Sequence, residues 1–187
     1  MIKAGSIDKG TCLLLKADPY LVTEREFVNP GKGSAFVRLK LKNLKSGQVL
    51  RQVMKTQDNV EEIAVEEKEC QFLYADAEGY HFMNTETYDQ FQVPMGGFEE
   101  QGLFMKEGDT YRVVLWEGDP IDVKLPFKMI FTVTKAEDAI RGDTVTGATK
   151  VVTLETGLEV RVPIFIKQGE RVMINTDTRE YVERVNS

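Results

Sequence analysis

"FVNPGKGSAFVRLKLKNL", residues 27–44, decides the class of the fold. After Ala35 apolar and polar residues alternate. Val37, Leu39 and Leu41 share one face, and Arg38, Lys40 and Lys42 share the other. Period-two alternation is the mark of a half-buried strand. Ahead of it "NPGKG" reads as a turn, with Pro30 presetting φ at the second position and Gly31 supplying positive φ at the third. Lys32 then stands at the exit of the turn, and Gly33 keeps the far side free of side-chain bulk. The expectation is a two-stranded arm with three cations on one face and a lysine at its end.

The same pattern extends along the chain. "YLVTEREFV", "QVLRQVMKT", "CQFLYADAEGYHFMN", "TYRVVLWEGDPIDVKL", "KMIFTVTKA", "LEVRVPIFI" and "RVMINTDTREYVERV" are short segments rich in Val, Ile, Phe and Tyr, divided by Gly, Asp and Asn. They read as antiparallel strands. "ADAEGY" and "WEGDPI" read as hairpin turns with glycine where positive φ is needed. "TETYDQF" reads as a helical turn capped by threonine. Helical periodicity is otherwise almost absent, so the chain is nearly all-β.

Charge and repetition divide it. Residues 1–63 carry 11 Lys and Arg against 7 Asp and Glu, a surplus of four positive charges. Residues 64–187 carry 13 against 23, a deficit of ten, which returns the overall net charge of −6. A basic head on an acidic body points to different partners for the two parts. "FMKEGD" (104–109) and "FIKQGE" (165–170) match in character at every position, each after a Val-Pro and ahead of an apolar strand. The echo implies two copies of one small barrel. Three modules are therefore expected: a small SH3-like barrel at 1–63, and five-stranded oligonucleotide-binding (OB) barrels at 64–127 and 128–187.

Several function classes are set aside. The two cysteines, Cys12 and Cys70, fit no metal or redox spacing, so reduced thiols and no metal site are expected. His81 lies in an apolar strand-like setting, and a hydrolase or transferase needs a nucleophile with a base beside it. No enzyme and no cofactor are expected. Trp116 is expected in core or interface. No run of apolar residues approaches the roughly 20 that span a bilayer, and the N-terminus lacks a signal-peptide cleavage site. A cytoplasmic monomer without membrane contact is the expectation.

A stripe of Arg38, Lys40 and Lys42 suits a phosphate backbone, since cations there gain affinity by counterion release. The plainer reading is a solvated hairpin whose lysines keep an edge strand from aggregating. Two glycines bracketing a lysine go beyond that reading. They admit close approach of another surface, and a lone amine is a target for covalent modification.

At these residues "EFVNPGKGSAFVRLKLKNLKSG" resembles the first-domain hairpin of bacterial translation elongation factor P. The stretch 141–185 resembles that family's C-terminal domain, with its Lys…Gly…Val-Pro…Gly signature carried by Lys150, Gly157, Val162, Pro163 and Gly169. "LYADAEGYHFMNTETYDQF" is similar to its middle domain. The resemblance covers essentially the whole chain. It implies an L-shaped, tRNA-like arrangement of a KOW-like (SH3-like) barrel and two OB barrels. It also implies a non-enzymatic factor that binds both ribosomal subunits between the peptidyl and exit sites and relieves stalls at consecutive prolines.

Carried over by position, Lys32 reaches along the peptidyl-tRNA, with Pro30, Gly31 and Gly33 forming the tip loop and Arg38, Lys40 and Lys42 on RNA. Gly142, Asp143, Thr144 and Gly147 fall in a loop near the exit-site codon, and Tyr181 and Arg184 face the small subunit. Members of the family often carry an extended, enzymatically modified lysine at the tip, so a modifying enzyme for Lys32 is a further expected partner. Two departures stand out. Val151 replaces a usual proline, which is expected to loosen a loop, and "INTDTREY" alters a hairpin turn. The alternative reading is a free single-stranded RNA-binding OB protein of the chaperone type.

Overall fold

The structure, a computed structural model, describes residues 1–137 and 147–186. Its strands form three antiparallel sheets. The first holds β1 (Ile2–Lys3), β2 (Cys12–Leu15), β3 (Asp18–Val28), β4 (Phe36–Asn43), β5 (Val49–Lys55) and β6 (Asn59–Glu62), in the order β1-β6-β2-β3-β4-β5. The alternation in β4 places Val37, Leu39 and Leu41 at no more than 1% exposure. Each such aliphatic side chain contributes about 1.5–3 kcal/mol on burial. Ala4, Ile7, Leu13 and Val22 complete that core.

The second sheet holds β7 (Glu66–Ala75), β8 (Gly79–Asn84), β9 (Gln90–Pro94), β10 (Thr110–Trp116) and β11 (Asp119–Lys124). A single turn of helix, α1 (Glu99–Gly102), lies between β9 and β10. The third sheet holds β12 (Lys128–Ala136), β13 (Thr149–Leu154), β14 (Glu159–Pro163), β15 (Arg171–Asn175) and β16 (Tyr181–Val185). In both sheets the first strand pairs with the second and fourth, the second with the third, and the fourth with the fifth. The two barrels are one topology used twice.

The sequence echo marks the same joint in each. The Asp109 N–H donates to the Lys106 carbonyl at 3.1 Å, and the Glu170 N–H to that of Lys167 at 3.2 Å. Gly108 and Gly169 carry φ of 88° and 87°, a region that costs glycine nothing. Each turn is then stitched to the first strand of its barrel, Phe72 N–H to the Asp109 carbonyl and Val133 N–H to that of Glu170, both at 2.9 Å.

Two expectations are corrected. Residues 85–88 close a single turn, the Tyr88 N–H donating to the Asn84 carbonyl at 2.9 Å, but its cap is Asn84 and not threonine: the Asn84 side-chain oxygen accepts from the N–H groups of Glu86 (2.8 Å) and Thr87 (3.2 Å). An asparagine side chain mimics a backbone carbonyl here, which a threonine one position later does not do. Asn43 and Asn175 build the same turn in the first and third sheets. Val151 lies within β13 rather than in a loop, opposite Arg161.

Adjacent sheets are packed together. Leu44 of the first meets Val114 and Ile121 of the second, with Trp116 against them, so Trp116 stands at an interface. Phe104 of the second meets Phe131 of the third with ring centroids 6.2 Å apart. One continuous apolar core runs through the second and third sheets.

Candidate functional site

The tip is built from the register of β3 and β4. Their last pair is Val28 opposite Phe36, and everything between projects past the sheet. The base of the projection is fastened by Thr56, whose N–H and hydroxyl both donate to the Ala35 carbonyl, at 3.1 and 3.2 Å. Gly31, Lys32 and Gly33 are exposed and Pro30 is half-buried. A Cβ added at Gly31 or at Gly33 would meet nothing within 4 Å. Space around Lys32 is therefore open on both sides. The positive φ sits at Gly33 (109°) and not, as the turn pattern predicts, at Gly31. The positive φ falls two residues later than a four-residue turn starting at Asn29 requires.

The basic stripe has partners that the alternation in β4 alone does not reveal. Cross-strand register sets Glu26 opposite Arg38 and Glu24 opposite Lys40. Arg38 reaches Glu26 at 3.2 Å, and Lys40 reaches Glu24 at 2.7 Å. The Lys40 ammonium, hydrogen-bonded to Glu24, holds that carboxyl below its usual range. Lys42 lies 3.9 Å from Glu100 of the second sheet. On the far side of β4, Arg51 faces Lys40 in β5. A groove of about 580 Å³ opens on this face among Glu24, Glu26, Arg38, Lys40 and Arg51. Lys32 alone of the expected cations has no ion-pair partner among the described residues. Charge at the tip is free, while charge along the arm is largely compensated.

Gly142, Asp143 and Thr144 lie outside the described residues. Gly147 is exposed with φ of 101°. Tyr181 packs against the apolar core of the second and third sheets. Arg184 pairs with Glu170 at 3.3 Å, and its guanidinium covers the Phe165 ring at 5.6 Å. Tyr181 and Arg184 belong to the third sheet and do not join the Lys32 hairpin. Sequence reasoning missed Glu24, Glu26 and Arg51. The signal was present in "TEREF", where two glutamates spaced by two share a face, but it needs the strand register to be read.

His81 is half-buried in β8, with Nε2 2.9 Å from Asp76 Oδ2 and its ring stacked on Tyr74 at 4.3 Å. No nucleophile stands in that set, and the two thiols are elsewhere. Burial pushes Cys70 up to about 11 and, with Asp122 nearby, raises Cys12 as well.

Comparison with known proteins agrees across the full length. Residues 3–60 match the "Elongation factor P (EF-P) KOW-like domain", 65–123 the "Elongation factor P (EF-P) OB domain" and 129–184 "Elongation factor P, C-terminal". The chain is 54% identical over 187 residues to elongation factor P of Treponema denticola, covering all of both chains. It is 53% identical to that of Treponema pallidum, again over all of both, and 50% identical to that of Borrelia hermsii, over 98% of this chain and 97% of the relative. Among solved structures, "Eukaryotic translation initiation factor 5A from Methanococcus jannaschii" superposes with a TM-score of 0.51 at 19% identity. It covers 66% of this chain and 90% of its own, a likeness of fold. The chain belongs to the elongation factor P family of translation factors.

Proposed function

We propose that the chain binds the ribosome between the peptidyl and exit sites, with the L-shaped arrangement that the family resemblance implies, and stimulates peptide-bond formation at consecutive prolines through Lys32. The observation that carries the reading is the tip itself. A lysine with no ion-pair partner among the described residues projects beyond the last strand pair, flanked by two glycines with open space, on an arm held by a buried apolar face. Such a device reaches into a crevice that a side-chain-bearing loop would not enter.

Proline restricts the nascent chain and is a hindered nucleophile. A factor that holds the peptidyl-tRNA end in a near-attack geometry lowers the barrier by orientation, with no proton donated. Lys32 supplies a mobile cation for RNA phosphate or ribose oxygens, and an enzyme that extends its amine would lengthen that reach. The division into 1–63, 64–127 and 128–187 then gives one barrel to the tip, and an acidic second barrel (4 Lys and Arg against 14 Asp and Glu) and a charge-balanced third (9 against 9) to the space a tRNA fills. Gly142, Asp143, Thr144 and Gly147 would face the exit-site codon, with Tyr181 and Arg184 toward the small subunit.

The alternative of a free RNA chaperone is disfavoured by Glu24 and Glu26, which neutralise the stripe that such a protein would use. The test is reconstituted translation of a Pro-Pro-Pro message with the unmodified chain, the chain modified at Lys32, and Lys32→Ala. Rescue by either of the first two and loss in Lys32→Ala is expected. Failure of every form, on ribosomes that another member of the family rescues, overturns the reading.

A further inference from the structure

One short segment of the middle barrel, residues 97–106, touches both of its neighbours. At its start a Cβ on Gly97 would stand 3.4 Å from the Lys45 carbonyl of the first barrel. At its end the Thr156 hydroxyl of the third barrel donates to the Leu103 carbonyl at 2.5 Å, and Lys106 pairs with Glu155 at 3.2 Å. Helix α1 lies between these contacts, and Glu100 points out of it towards both flanking barrels. One Glu100 oxygen lies 3.9 Å from Lys42 Nζ in β4, and the other lies 3.3 Å from Arg179 Nη2 in the turn between β15 and β16. A single carboxylate thus joins a cation of the first barrel to a cation of the third.

Both ends of this bridge are held. Gly102 sits so close to Tyr80 that an added Cβ would fall 2.0 Å from the phenol oxygen, which fixes α1 on its own barrel. The Gln101 amide donates to Asp122 at 3.0 Å from the next position. Arg179 takes φ of 60°, a conformation that glycine or asparagine adopts at lower cost. The turn itself sets that backbone, since Tyr88 holds φ of 61° at the same position of the Asn84 turn, and the guanidinium at Arg179 reaches Glu100 from it. Lys42 belongs to the strand that descends from the Lys32 tip, so whatever holds Lys42 also aims the arm.

We infer that Glu100 is a positioning residue: its shared carboxylate sets the angle between the Lys32 arm and the third barrel. Exposed ion pairs contribute little to stability. Their geometry still selects among barrel orientations that differ little in energy. The consequence for translation rests on the ribosomal reading above, whereas the angle itself is measurable on the free protein.

The experiment places nitroxide labels at Ser34→Cys and Glu159→Cys in the full chain, with the half-buried Cys12 replaced by serine so that only the buried Cys70 remains unlabelled, and measures the distance distribution by pulsed electron resonance. At low salt a narrow distribution is expected for the parent and a broader, shifted one for Glu100→Gln. At 1 M salt, where the screening length is about 3 Å, the parent should broaden towards Glu100→Gln, and Glu100→Gln itself should hardly change. Reversing all three charges, with Glu100→Arg, Lys42→Glu and Arg179→Glu together, should restore the narrow distribution. An unchanged distribution in Glu100→Gln overturns the inference. A lowered unfolding midpoint with the distance intact does so too, because that is what a merely structural residue would show. If the parent fails to rescue Pro-Pro-Pro translation but the distances move as stated, the ribosomal reading falls and the positioning role stands.

Discussion

Phe104 and Phe165 occupy the same position in the two copies of one turn, yet Phe104 is 2% exposed and Phe165 is 55% exposed. Phe104 is buried because the third barrel lies on it, with Phe131 across the seam. Phe165 has no further barrel to cover it among the described residues, and only the Arg184 guanidinium lies over its ring. Truncating the two should therefore differ sharply. Phe104→Ala should cost about 3–5 kcal/mol, the usual range for an emptied aromatic site in a core. Phe165→Ala should cost no more than about 1 kcal/mol, the worth of an exposed cation–π contact. Urea midpoints of the two variants decide it. Equal losses would mean that Phe165 is covered in solution.

That pair also shows where sequence reading stops. Alternation in residues 36–42 identified the buried face of β4 correctly, because period two is a local property of the strand. The echo at 104–109 and 165–170 identified a repeated barrel, because the turn needs glycine and a strand after it wherever it occurs. Neither signal could say which phenylalanine faces a neighbour, since that depends on which barrel follows. The ion pairs of Arg38 and Lys40 were hidden for a related reason: their partners lie 12 and 16 residues away and meet them only through cross-strand register. Glu100 was hidden more deeply. "GGFEEQG" has no periodicity, and its meaning comes from two barrels distant in sequence. The loop positions Gly142, Asp143 and Thr144 fall outside the described residues and stay with the proposal.

Asp122 gives a pH dependence with a definite sign. Burial pushes its carboxyl up, against the Gln101 amide, the Val123 N–H and the nearby Lys42 and Lys124. A carboxyl raised in the folded state costs most where it is charged in both states, at pH above its folded value. The cost fades as pH falls through that value and is gone at the unfolded value of about 3.9. Asp122→Asn keeps an oxygen for the Gln101 amide. It should melt at a higher temperature than the parent at pH 7, with the gap closing as pH approaches about 4. A gap that is constant with pH, or of the opposite sign at pH 7, would show that Lys42 and Lys124 outweigh desolvation.

The thiols should be nearly inert in the folded protein. With Cys70 pushed up to about 11, only about one molecule in a thousand carries its thiolate at pH 8, and the thiolate is the reactive form. Cys12 is raised as well but is only half-buried. A disulfide reagent at pH 8 should therefore modify Cys12 slowly and Cys70 only through the small unfolded population. Adding urea below the unfolding midpoint should accelerate Cys70 in step with the unfolded fraction. Reaction of Cys70 at the rate of a free thiol would contradict its burial in β7.

Glu24 and Glu26 bear on whether the arm binds RNA on its own. A phosphate approaching Lys40 or Arg38 must first displace a carboxylate held at 2.7 or 3.2 Å. Free single-stranded RNA should therefore bind the parent weakly and with a shallow salt dependence. The double variant Glu24→Gln, Glu26→Gln releases both cations while leaving the buried face of β3 untouched, so the fold should persist. Each phosphate newly engaged steepens the slope of log affinity against log salt by about 0.7 for a single strand, so two should add about 1.4. Titration of a uridine 20-mer at several salt concentrations reads the slope directly. A parent slope as steep as that of the variant would mean that the carboxylates yield readily to phosphate, and the free RNA-binding reading would then gain over one that confines the arm's chemistry to the ribosome.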